Sequence, residues 1–469
     1  MLSNIIQLWL AILFFICPYL TAKNLSLESR INPPARELMD VEVIGNLLIV
    51  PGNLDGYDFY DISVPNDPQH ITNFQVPMNN NRSLPGFWVC ATDSFAYFTS
   101  RSKGSGSAIV DISDPDNPIN SGYLDLNGNS DLILEGLDIK DSILAVAAHD
   151  DGVLIYNIEN PTYPSLISQV YCGNAWDVEL DSSLLIVGSG EDGVKFFDIS
   201  NLNNPVLIAE HNTLGTVKDI ELVSNLLYIA VGSAGIELLD VSDPHSLLTL
   251  DTYNTPGLAN KISCMDNNLV AVSDWQGVII LEWTGSVLEL AGYKQNGYRT
   301  MAIGTKGNTI YSAEWQHLQT YSYGEIQAAD IDLSSWEISF PQLEIGQKDT
   351  IKLVLESSGQ FPIGMNQANL THPDFELLHF ENYIDPGDSL VTEIVYTRSD
   401  LNASGILQFS SNDEDEPDID INIIGNYDGA MVGQDATDFT LPIVSNGSGN
   451  FTLSDHIGQI VMVAFFAPG

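Results

Sequence analysis

The feature that most constrains this chain is a repeat of roughly 40 residues, which recurs seven times between residue 40 and about residue 325. In each copy a glycine precedes a polar residue by five positions, with aliphatic or aromatic residues between them. The clear copies carry these two residues at Gly56 and Asp61, Gly106 and Asp111, Gly152 and Asn157, Gly193 and Asp198, Gly235 and Asp240, and Gly277 and Glu282. A weaker seventh copy has His317 and Ser322 there. A period of this length is typical of propellers and solenoids.

Each copy predicts four short strands, most clearly over residues 220–252. The glycine is expected in the turn between the second and third strands, where a residue without Cβ can adopt positive φ. The polar residue is expected to cap the turn after the third strand, and nearby prolines stop the ladder before the outer strand. Because one such sheet cannot bury both of its faces, the copies must pack face to face around an axis. We therefore expect an all-β chain whose residues 23–326 form a seven-bladed β-propeller.

These copies resemble the LVIVD repeat family, whose strand motif is present as Leu185-Ile186-Val187 and Leu227-Tyr228-Ile229-Ala230. The resemblance covers about 285 residues. It implies an exported or surface propeller, and it indicates a fold more than an activity. The seventh copy lacks an outer strand, which either Leu25-Ser26-Leu27 or residues 325–333 could supply.

Residues 327–428 alternate between apolar and polar side chains, as in Ile351–Leu355 and Val391–Tyr396. This alternation predicts a β-sandwich. The segment resembles the immunoglobulin-like modules of bacterial surface proteins, which implies a spacer.

Residues 429–469 change character again. They contain Asp438-Phe439-Thr440-Leu441, then Leu453-Ser454-Asp455, and then an apolar strand that ends in Phe465-Phe466-Ala467-Pro468. This order resembles the start of a thioredoxin-like redoxin of the peroxiredoxin or thiol-specific antioxidant type. The resemblance implies an incomplete α/β segment whose redox cysteine would follow just after Gly469, at a helix N-terminus that favours the thiolate.

No catalytic residue of a redoxin is therefore expected within the 469 residues. Two explanations stand: the sequence is a fragment, or the next codon is a UGA for selenocysteine that was read as a stop. The DNA beyond residue 469 decides between them.

The first 22 residues contain no charged side chain, and an apolar run over residues 5–20 precedes Ala22. This pattern predicts a secretory signal peptide over residues 1–22, with an uncleaved membrane anchor as the alternative. The expected location is secreted, periplasmic or at the cell surface, with no membrane contact beyond the signal sequence.

The chain has 62 acidic and 16 basic residues, a formal net charge of −46. Such a charge disfavours binding to nucleic acid or to an anionic membrane, and it favours solubility. Calcium capture by surface carboxylates is the alternative, with Asp413, Glu414, Asp415, Glu416, Asp418 and Asp420 as the candidate cluster. That cluster lacks the spacing of an ordered calcium loop, so we expect no metal or cofactor and interpret it as a solvated turn.

Cys90, Cys172 and Cys264 fit no zinc or CxxC spacing, so we expect small buried apolar side chains, with one disulfide as the alternative. The candidates for a catalytic propeller are acids on predicted inner strands and histidines on turns, namely Asp177, Asp219, Glu135, His149 and His211. They form no nucleophile-and-base set, and acids at these places also serve as structural caps.

Two functions follow from these observations. In the first, an exported protein presents a redoxin domain that reduces disulfides or peroxides, an antioxidant oxidoreductase in its full-length form. In the second, a non-catalytic propeller binds a protein or glycan ligand at a surface, as in adhesion.

Overall fold

The computed structural model describes residues 23–78, 83–101, 106–126, 128–129, 131–295, 299–325, 329–399, 403–413, 416–425, 440–442 and 450–452. The chain divides into two compact units, Met1–Ala328 with Ser358–Gln360, and Ala329–Ser357 with Phe361–Gly469. The predicted signal peptide and most of the predicted redoxin segment lie outside the described residues. Within the described residues, no helix is long and apolar enough to span a membrane.

The first unit contains seven antiparallel sheets, which we call blades 1 to 7 in chain order. Blade 1 contains β2 (Arg36–Leu38), β3 (Glu42–Ile44), β4 (Leu47–Leu54), β5 (Tyr57–Asp61) and β6 (Gln69–Phe74). Blade 2 contains β7 (Trp88–Ala91), β8 (Phe95–Thr99), β9 (Ser107–Asp111) and β10 (Ile119–Gly122). Blade 3 contains β11 (Leu137–Lys140), β12 (Ile143–Ala147), β13 (Val153–Asn157) and β14 (Ser165–Val170). Blades 4 and 5 contain β15 (Asp177–Asp181), β16 (Leu184–Gly188), β17 (Val194–Asp198) and β18 (Val206–His211), and β19 (Asp219–Val223), β20 (Leu226–Ala230), β21 (Ile236–Asp240) and β22 (Leu248–Tyr253). Blades 6 and 7 contain β23 (Lys261–Cys264), β24 (Leu269–Ser273), β25 (Gly277–Trp283) and β26 (Leu288–Gln295), and β27 (Thr300–Lys306), β28 (Thr309–Glu314), β29 (His317–Glu325) and β1 (Lys23–Ile31). A single 3₁₀ turn, Gly190–Asp192, is the one helical element of the described residues.

The seventh blade joins the two ends of the first unit. Strand β1 pairs antiparallel with β29, from Lys23 opposite Glu325 to Ile31 opposite Leu318. Leu25 is fully buried in this pairing. Of the two segments that the sequence offered as the missing outer strand, the structure therefore uses the N-terminal one.

Seven backbone hydrogen bonds close the ring on one face. In each, an N–H at or before the start of a blade's inner strand donates to a carbonyl close to the end of the second strand of the preceding blade. The pairs are Leu38 to Trp315, Gly86 to Gly52, Leu134 to Ser100, Ala175 to His149, Val217 to Gly190, Ala259 to Gly232 and Thr300 to Trp275, at 2.9 to 3.4 Å. The series passes from blade 7 to blade 1 without a break, so the loops after the second strands surround one mouth of the central channel.

At most of the repeat glycines, the structure shows a second reason for glycine besides the turn that the sequence predicted. A Cβ on Gly152 would lie 2.0 Å from the Val170 carbonyl oxygen of the outer strand, and one on Gly235 would lie 2.1 Å from that of Tyr253. Both glycines also have positive φ, at 79° and 85°. Gly277 shows the same close approach, 2.2 Å from the Lys294 carbonyl oxygen, without positive φ. In these copies the approach of the outer strand therefore requires glycine, whereas at Gly106 (φ 60°) no outer-strand carbonyl is close and the backbone conformation is the reason.

The repeat's polar residues lie at the end of each third strand. In five blades the side-chain oxygen accepts the backbone N–H two residues later, at 2.7 to 2.9 Å: Asp61 from Ser63, Asp111 from Ser113, Asn157 from Glu159, Asp198 from Ser200 and Asp240 from Ser242. These are Asx turns, which reverse the chain toward the outer strand. Glu282 makes no such bond among the described residues.

The cores of the first unit lie between neighbouring blades. One cluster, for example, joins Ala145 and Ile155 of blade 3 to Val178 and Val187 of blade 4. Each sheet therefore buries both of its faces only because the next blade covers it. The predicted all-β propeller is confirmed.

The second unit has two four-stranded sheets, in the orders β30-β32-β37-β35 and β31-β39-β38-β34. Its strands are β30 (Ile331–Leu333), β31 (Glu337–Ser339), β32 (Lys348–Ser357), β33 (Ile363–Gly364), β34 (Asn369–Leu370), β35 (Phe375–Leu378), β36 (Tyr383–Ile384), β37 (Ser389–Thr397), β38 (Ser404–Ser410), β39 (Asp418–Ile424), β40 (Thr440–Pro442) and β41 (Asn450–Thr452). Both sheets contribute to one hydrophobic core, with Leu353 and Ile394 from the first and Leu407 and Ile421 from the second. The immunoglobulin-like and redoxin assignments stay predictions.

Candidate functional site

The wall of the central channel is formed by the first strand of each blade. Asp177, Asp219, Lys261 and Trp88 occupy the same register position, each opposite the last residue of the second strand. Asp40 lies on the corresponding segment of blade 1, two residues before Glu42. Because side chains alternate along a strand, the residue two positions later faces the same way. The channel therefore has two successive layers of inward side chains.

The aspartates of the first layer tie each blade to the next. Asp40 accepts the backbone N–H of Val89 at 2.9 Å, Asp177 that of Ile220 at 3.0 Å, and Asp219 that of Ile262 at 2.7 Å. Asp177 and Asp219, both candidates for catalysis from the sequence, are thus buried acceptors of inter-blade bonds.

Lys261 supplies a cation to this layer and pairs with two of its aspartates. Its Nζ lies 3.3 Å from Asp40 Oδ1 and 3.3 Å from Asp219 Oδ1, and 3.6 Å from the centre of the Trp88 ring. Burial works to lower the pKa of Lys261, but the attraction of Asp219, Asp40 and Asp177 outweighs it and raises that pKa. The ammonium is therefore a permanent part of the wall.

The second layer is acidic. Burial, together with the neighbouring carboxylate of Asp40, raises the pKa of Glu42 to about 8. Burial, together with Asp219, raises that of Glu221 to about 8. The pKa values of Glu179 and Asp138 are raised by burial too. This part of the channel therefore holds protons near neutral pH.

Glu135 is the centre of a second group at the channel mouth, and it is fully buried. Arg101 Nε donates to its carboxylate at 2.7 to 2.8 Å, His149 Nε2 lies 3.2 Å from Oε1, and Trp88 Nε1 donates to Oε2 at 3.2 Å. The structure thus brings together two sequence candidates, Glu135 and His149. His211 lies elsewhere, 2.6 Å from Glu237 of the next blade.

Trp176, on the loop before β15, lies between two cations at this mouth. The Arg101 Cζ is 5.2 Å from the ring centre and the Lys218 Nζ is 4.0 Å from it. Arg101 also lies over Phe87 at 5.1 Å. Burial, followed by the charge of Arg101, lowers the pKa of Lys218 and outweighs the carboxylates of Glu135 and Glu191, which act in the opposite direction. We call Phe87, Arg101, Glu135, His149, Trp176 and Lys218 the mouth cluster.

Lys218 forms no salt bridge with any carboxylate of the described residues, although the chain carries 62 acidic side chains. A cavity of about 200 Å³ opens beside it, which we call the side pocket, lined by Thr216, Lys218, Gly232, Ser233, Leu258, Ala259, Asn260 and Trp275. At its edge the Arg299 guanidinium lies 5.3 Å from the centre of the Trp275 ring. Arg299 likewise has no salt bridge within the described part of the chain.

The ring of inter-blade bonds contains bulky residues in an unusual backbone conformation. Blades 4 and 5 place Gly190 (φ 57°) and Gly232 (φ 59°) at the carbonyl position of this ring. Blades 3 and 6 have His149 (φ 52°) and Trp275 (φ 67°) there instead. Left-handed φ at a bulky residue costs about 1 kcal/mol or more, and it concentrates at functional sites.

Cys90, Cys172 and Cys264, the cysteines of the described residues, are unpaired thiols, so the disulfide alternative is wrong. Burial raises the pKa of Cys172 to about 11 and raises those of Cys90 and Cys264 still further above their ordinary value. These thiols are therefore protonated and poorly reactive.

The acidic cluster of the second unit supports its own fold. Asp413 is buried and accepts the N–H of Ile331 at 2.9 Å, and Asp420 accepts the Gln408 amide at 2.8 Å. Glu414 and Asp415 lie outside the described residues. Over the described ranges, no group of three or more His, Cys, Asp or Glu side chains is arranged to hold a metal ion.

Comparison with known families finds the LVIVD repeat at residues 101–125, 172–213 and 214–255. No curated protein matches the chain. The matched segments fall in blades 2, 4 and 5, which carry Arg101, Trp176 and Lys218.

Among solved structures the chain is similar to propeller-type proteins over about two thirds of its length. A chain of the mitotic checkpoint complex is 11% identical, with 68% of this chain and 98% of that chain covered and a TM-score of 0.52. U3-55K and the WD40 repeats of RRP9 are each 11% identical, with 64% of this chain and 98% of theirs covered and a TM-score of 0.50. At this identity the similarity shows the fold alone.

Proposed function

We propose that this propeller-type repeat protein is a non-catalytic binding module that takes an anionic ligand at the mouth of its channel. One observation carries the proposal: Arg101 and Lys218 converge on Trp176, and Lys218 forms no salt bridge with a described carboxylate.

The charge balance gives this observation its weight. In a chain of net charge −46, the half-buried Lys218 ammonium is in an unfavourable place, because burial and Arg101 disfavour its charge by more than Glu135 and Glu191 favour it. A bound anion supplies the missing partner. The indole beside both cations supplies an apolar surface, as in ligand sites that combine aromatic side chains with a few charged groups.

Binding explains the site better than catalysis does. The His149 Nε2 faces the Glu135 carboxylate, which Arg101 and Trp88 also contact. No serine, threonine or cysteine takes part in these contacts, so the pair has no nucleophile to activate. The overall charge also repels long polyanions such as nucleic acids, which favours a small anionic ligand.

Quenching of tryptophan fluorescence tests the proposal directly, with iodide as an anionic probe and acrylamide as a neutral one. We expect iodide to quench the tryptophan fluorescence of the wild-type protein, although the net charge of the chain repels anions. Lys218→Met should reduce the quenching by iodide and leave the quenching by acrylamide unchanged. The control is Lys352→Met, on a strand of the second unit. Equal iodide quenching in all three proteins would overturn the proposal.

Thiol–disulfide or peroxide reduction is the second candidate. It is supported by the redoxin-like order of residues 432–468, with residues 327–428 as an immunoglobulin-like spacer and export directed by residues 1–22. An in-frame UGA followed by a continuing redoxin frame, and dithiol-dependent activity of that longer product, would support it. A genuine stop with no continuing frame would exclude it.

A further inference from the structure

We propose that the side pocket binds the ring of a carboxylated sugar, a hexuronic acid, as the ligand of the binding module. This inference rests on the proposed function, since it identifies the anion by chemical class.

The pocket has the size and the apolar surface that a single sugar ring requires. Its volume is about 200 Å³, and Trp275, Leu258 and Ala259 line it. An indole ring buries a large apolar area at a fixed orientation. The C–H face of a pyranose is also flat and apolar, so it can stack on such a ring. A cavity of this volume holds one ring of an oligosaccharide and leaves the rest of the chain outside.

The polar lining matches the hydroxyl groups of such a ring. The side chains of Thr216 and Ser233 make no hydrogen bond to any described residue, so both hydroxyls remain available as donors and acceptors. Asn260 uses its amide N–H to reach the Met301 carbonyl, which leaves its Oδ1 as an acceptor.

Two cations at the side pocket suit the carboxylate group of a hexuronic acid. Lys218 lines the pocket and Arg299 lies over the ring of Trp275, and neither has a salt bridge to a described carboxylate. A carboxylate on the sugar would form charge-assisted hydrogen bonds with these groups, which are stronger than bonds between neutral partners.

The backbone at Trp275 is the independent observation. Its φ of 67° is left-handed, whereas the equivalent position in blades 4 and 5 is glycine, at Gly190 and Gly232. Glycine accepts this conformation without strain and tryptophan does not. Blades 3 and 7 also have bulky residues with positive φ at this position, His149 and Trp315, but of these three residues only Trp275 lines the side pocket. We attribute the strained backbone at Trp275 to the use of its ring in that pocket.

An acidic peptide is the competing ligand. It would offer carboxylates, but it would not need two free hydroxyl groups around a single indole, and an extended peptide exceeds the pocket. We therefore choose the sugar, and the peptide becomes an outcome of the test.

The experiment titrates the full chain with D-glucuronate, and with D-glucose, acetate and tetraglutamate in parallel, by isothermal calorimetry. We expect glucuronate to bind at least tenfold more tightly than glucose or acetate. Trp275→Gly and Lys218→Met should each weaken glucuronate binding about tenfold. Trp315→Gly is the matched control, because Trp315 occupies the same ring position in blade 7 (φ 28°) outside the pocket.

The outcomes separate the two proposals. Acetate or tetraglutamate binding as tightly as glucuronate would overturn the sugar while leaving an anion site in place. Glucose binding as tightly as glucuronate, or no binding of glucuronate, would overturn the inference as well. The iodide measurement then decides whether the anion site itself stands. Ser233→Ala, at an exposed position, tests the pocket without altering the fold, and an unchanged glucuronate affinity in both Ser233→Ala and Trp275→Gly would also count as overturning it.

Discussion

Two lysines of neighbouring blades are used in opposite ways. Lys218 and Lys261 each lie against a tryptophan ring, at 4.0 Å from Trp176 and 3.6 Å from Trp88. Lys261 has two aspartates at 3.3 Å, whereas Lys218 has no described carboxylate as a partner. The lysine of the channel wall is thus paired with carboxylates of the protein, whereas at the mouth Arg101 is paired with Glu135 and Lys218 has no salt bridge to a described residue.

The pKa values follow the same division. Carboxylates around Lys261 outweigh burial and raise its pKa, whereas burial and Arg101 lower the pKa of Lys218. The comparison teaches that a cation near the axis stabilises this fold only where the repeat also supplies acids. Under the proposed function, a cation without such acids is available to a ligand.

The largest effect is expected from Lys261→Met. The substitution leaves Asp40 and Asp219 buried without their cation, which should lower the free energy of unfolding by about 3–5 kcal/mol. Lys218→Met, the matched change at the mouth, should alter it by less than about 0.5 kcal/mol. Urea unfolding of both variants at pH 7 measures the difference. Similar losses in the two variants would show that the mouth is also structural.

A smaller effect is expected from pH. Glu42 and Glu221 have pKa values of about 8 in the folded chain, above their ordinary value of 4.5, so the folded state binds more protons than the unfolded state between these limits. Stability is therefore greatest at low pH within this window and falls as pH rises toward 8, by up to about 1.4 kcal/mol per pH unit for each group.

Glu221→Gln sharpens this prediction. It should raise the free energy of unfolding by about 1 kcal/mol or more at pH 8 and leave it unchanged near pH 4.5, because only the charged form is unfavourable. Glu289→Gln, on an exposed part of β26, is the control. A flat pH profile in the wild-type protein would mean that the channel acids are ionised throughout.

The smallest effect concerns the strained backbone of the mouth. At most positions alanine is more stable than glycine, but His149 has left-handed φ. We expect His149→Gly to be more stable than His149→Ala by about 1 kcal/mol, as judged by thermal unfolding. If His149→Ala is instead more stable than His149→Gly, the left-handed backbone at His149 and Trp275 does not destabilise the folded protein.

The sequence predicted the residues of the channel wall better than those of the mouth cluster. Acids on inner strands recur with the repeat, so Asp177 and Asp219 could be named as structural caps or catalytic candidates in advance. Arg101, Trp176 and Lys218 come from blades 2, 4 and 5, and only the closed ring brings them together. Glu135 and His149 were named as candidates, but nothing in the sequence placed them side by side.

One signal for the mouth was present in the sequence. His149 lies three residues before Gly152, where blades 4 and 5 have Gly190 and Gly232 before Gly193 and Gly235. Trp275 lies two residues before Gly277. Aligning the copies on their repeat glycines places His149 opposite Gly190 and Gly232, which would have exposed it as a large side chain where sister copies use glycine. Trp275 is displaced by one residue in that alignment, so only the inter-blade hydrogen bonds show its equivalence.

The repeat by itself determined the architecture: the number of blades, the need for neighbouring sheets to cover each other, and the glycines and turn residues of each copy. These properties are local, because each depends on residues within about 40 positions of one another. Tertiary structure alone decided that β1 completes blade 7, which of the axial lysines is neutralised, and which aromatic rings face the pocket. Those depend on distances between blades, which are fixed only when the ring closes.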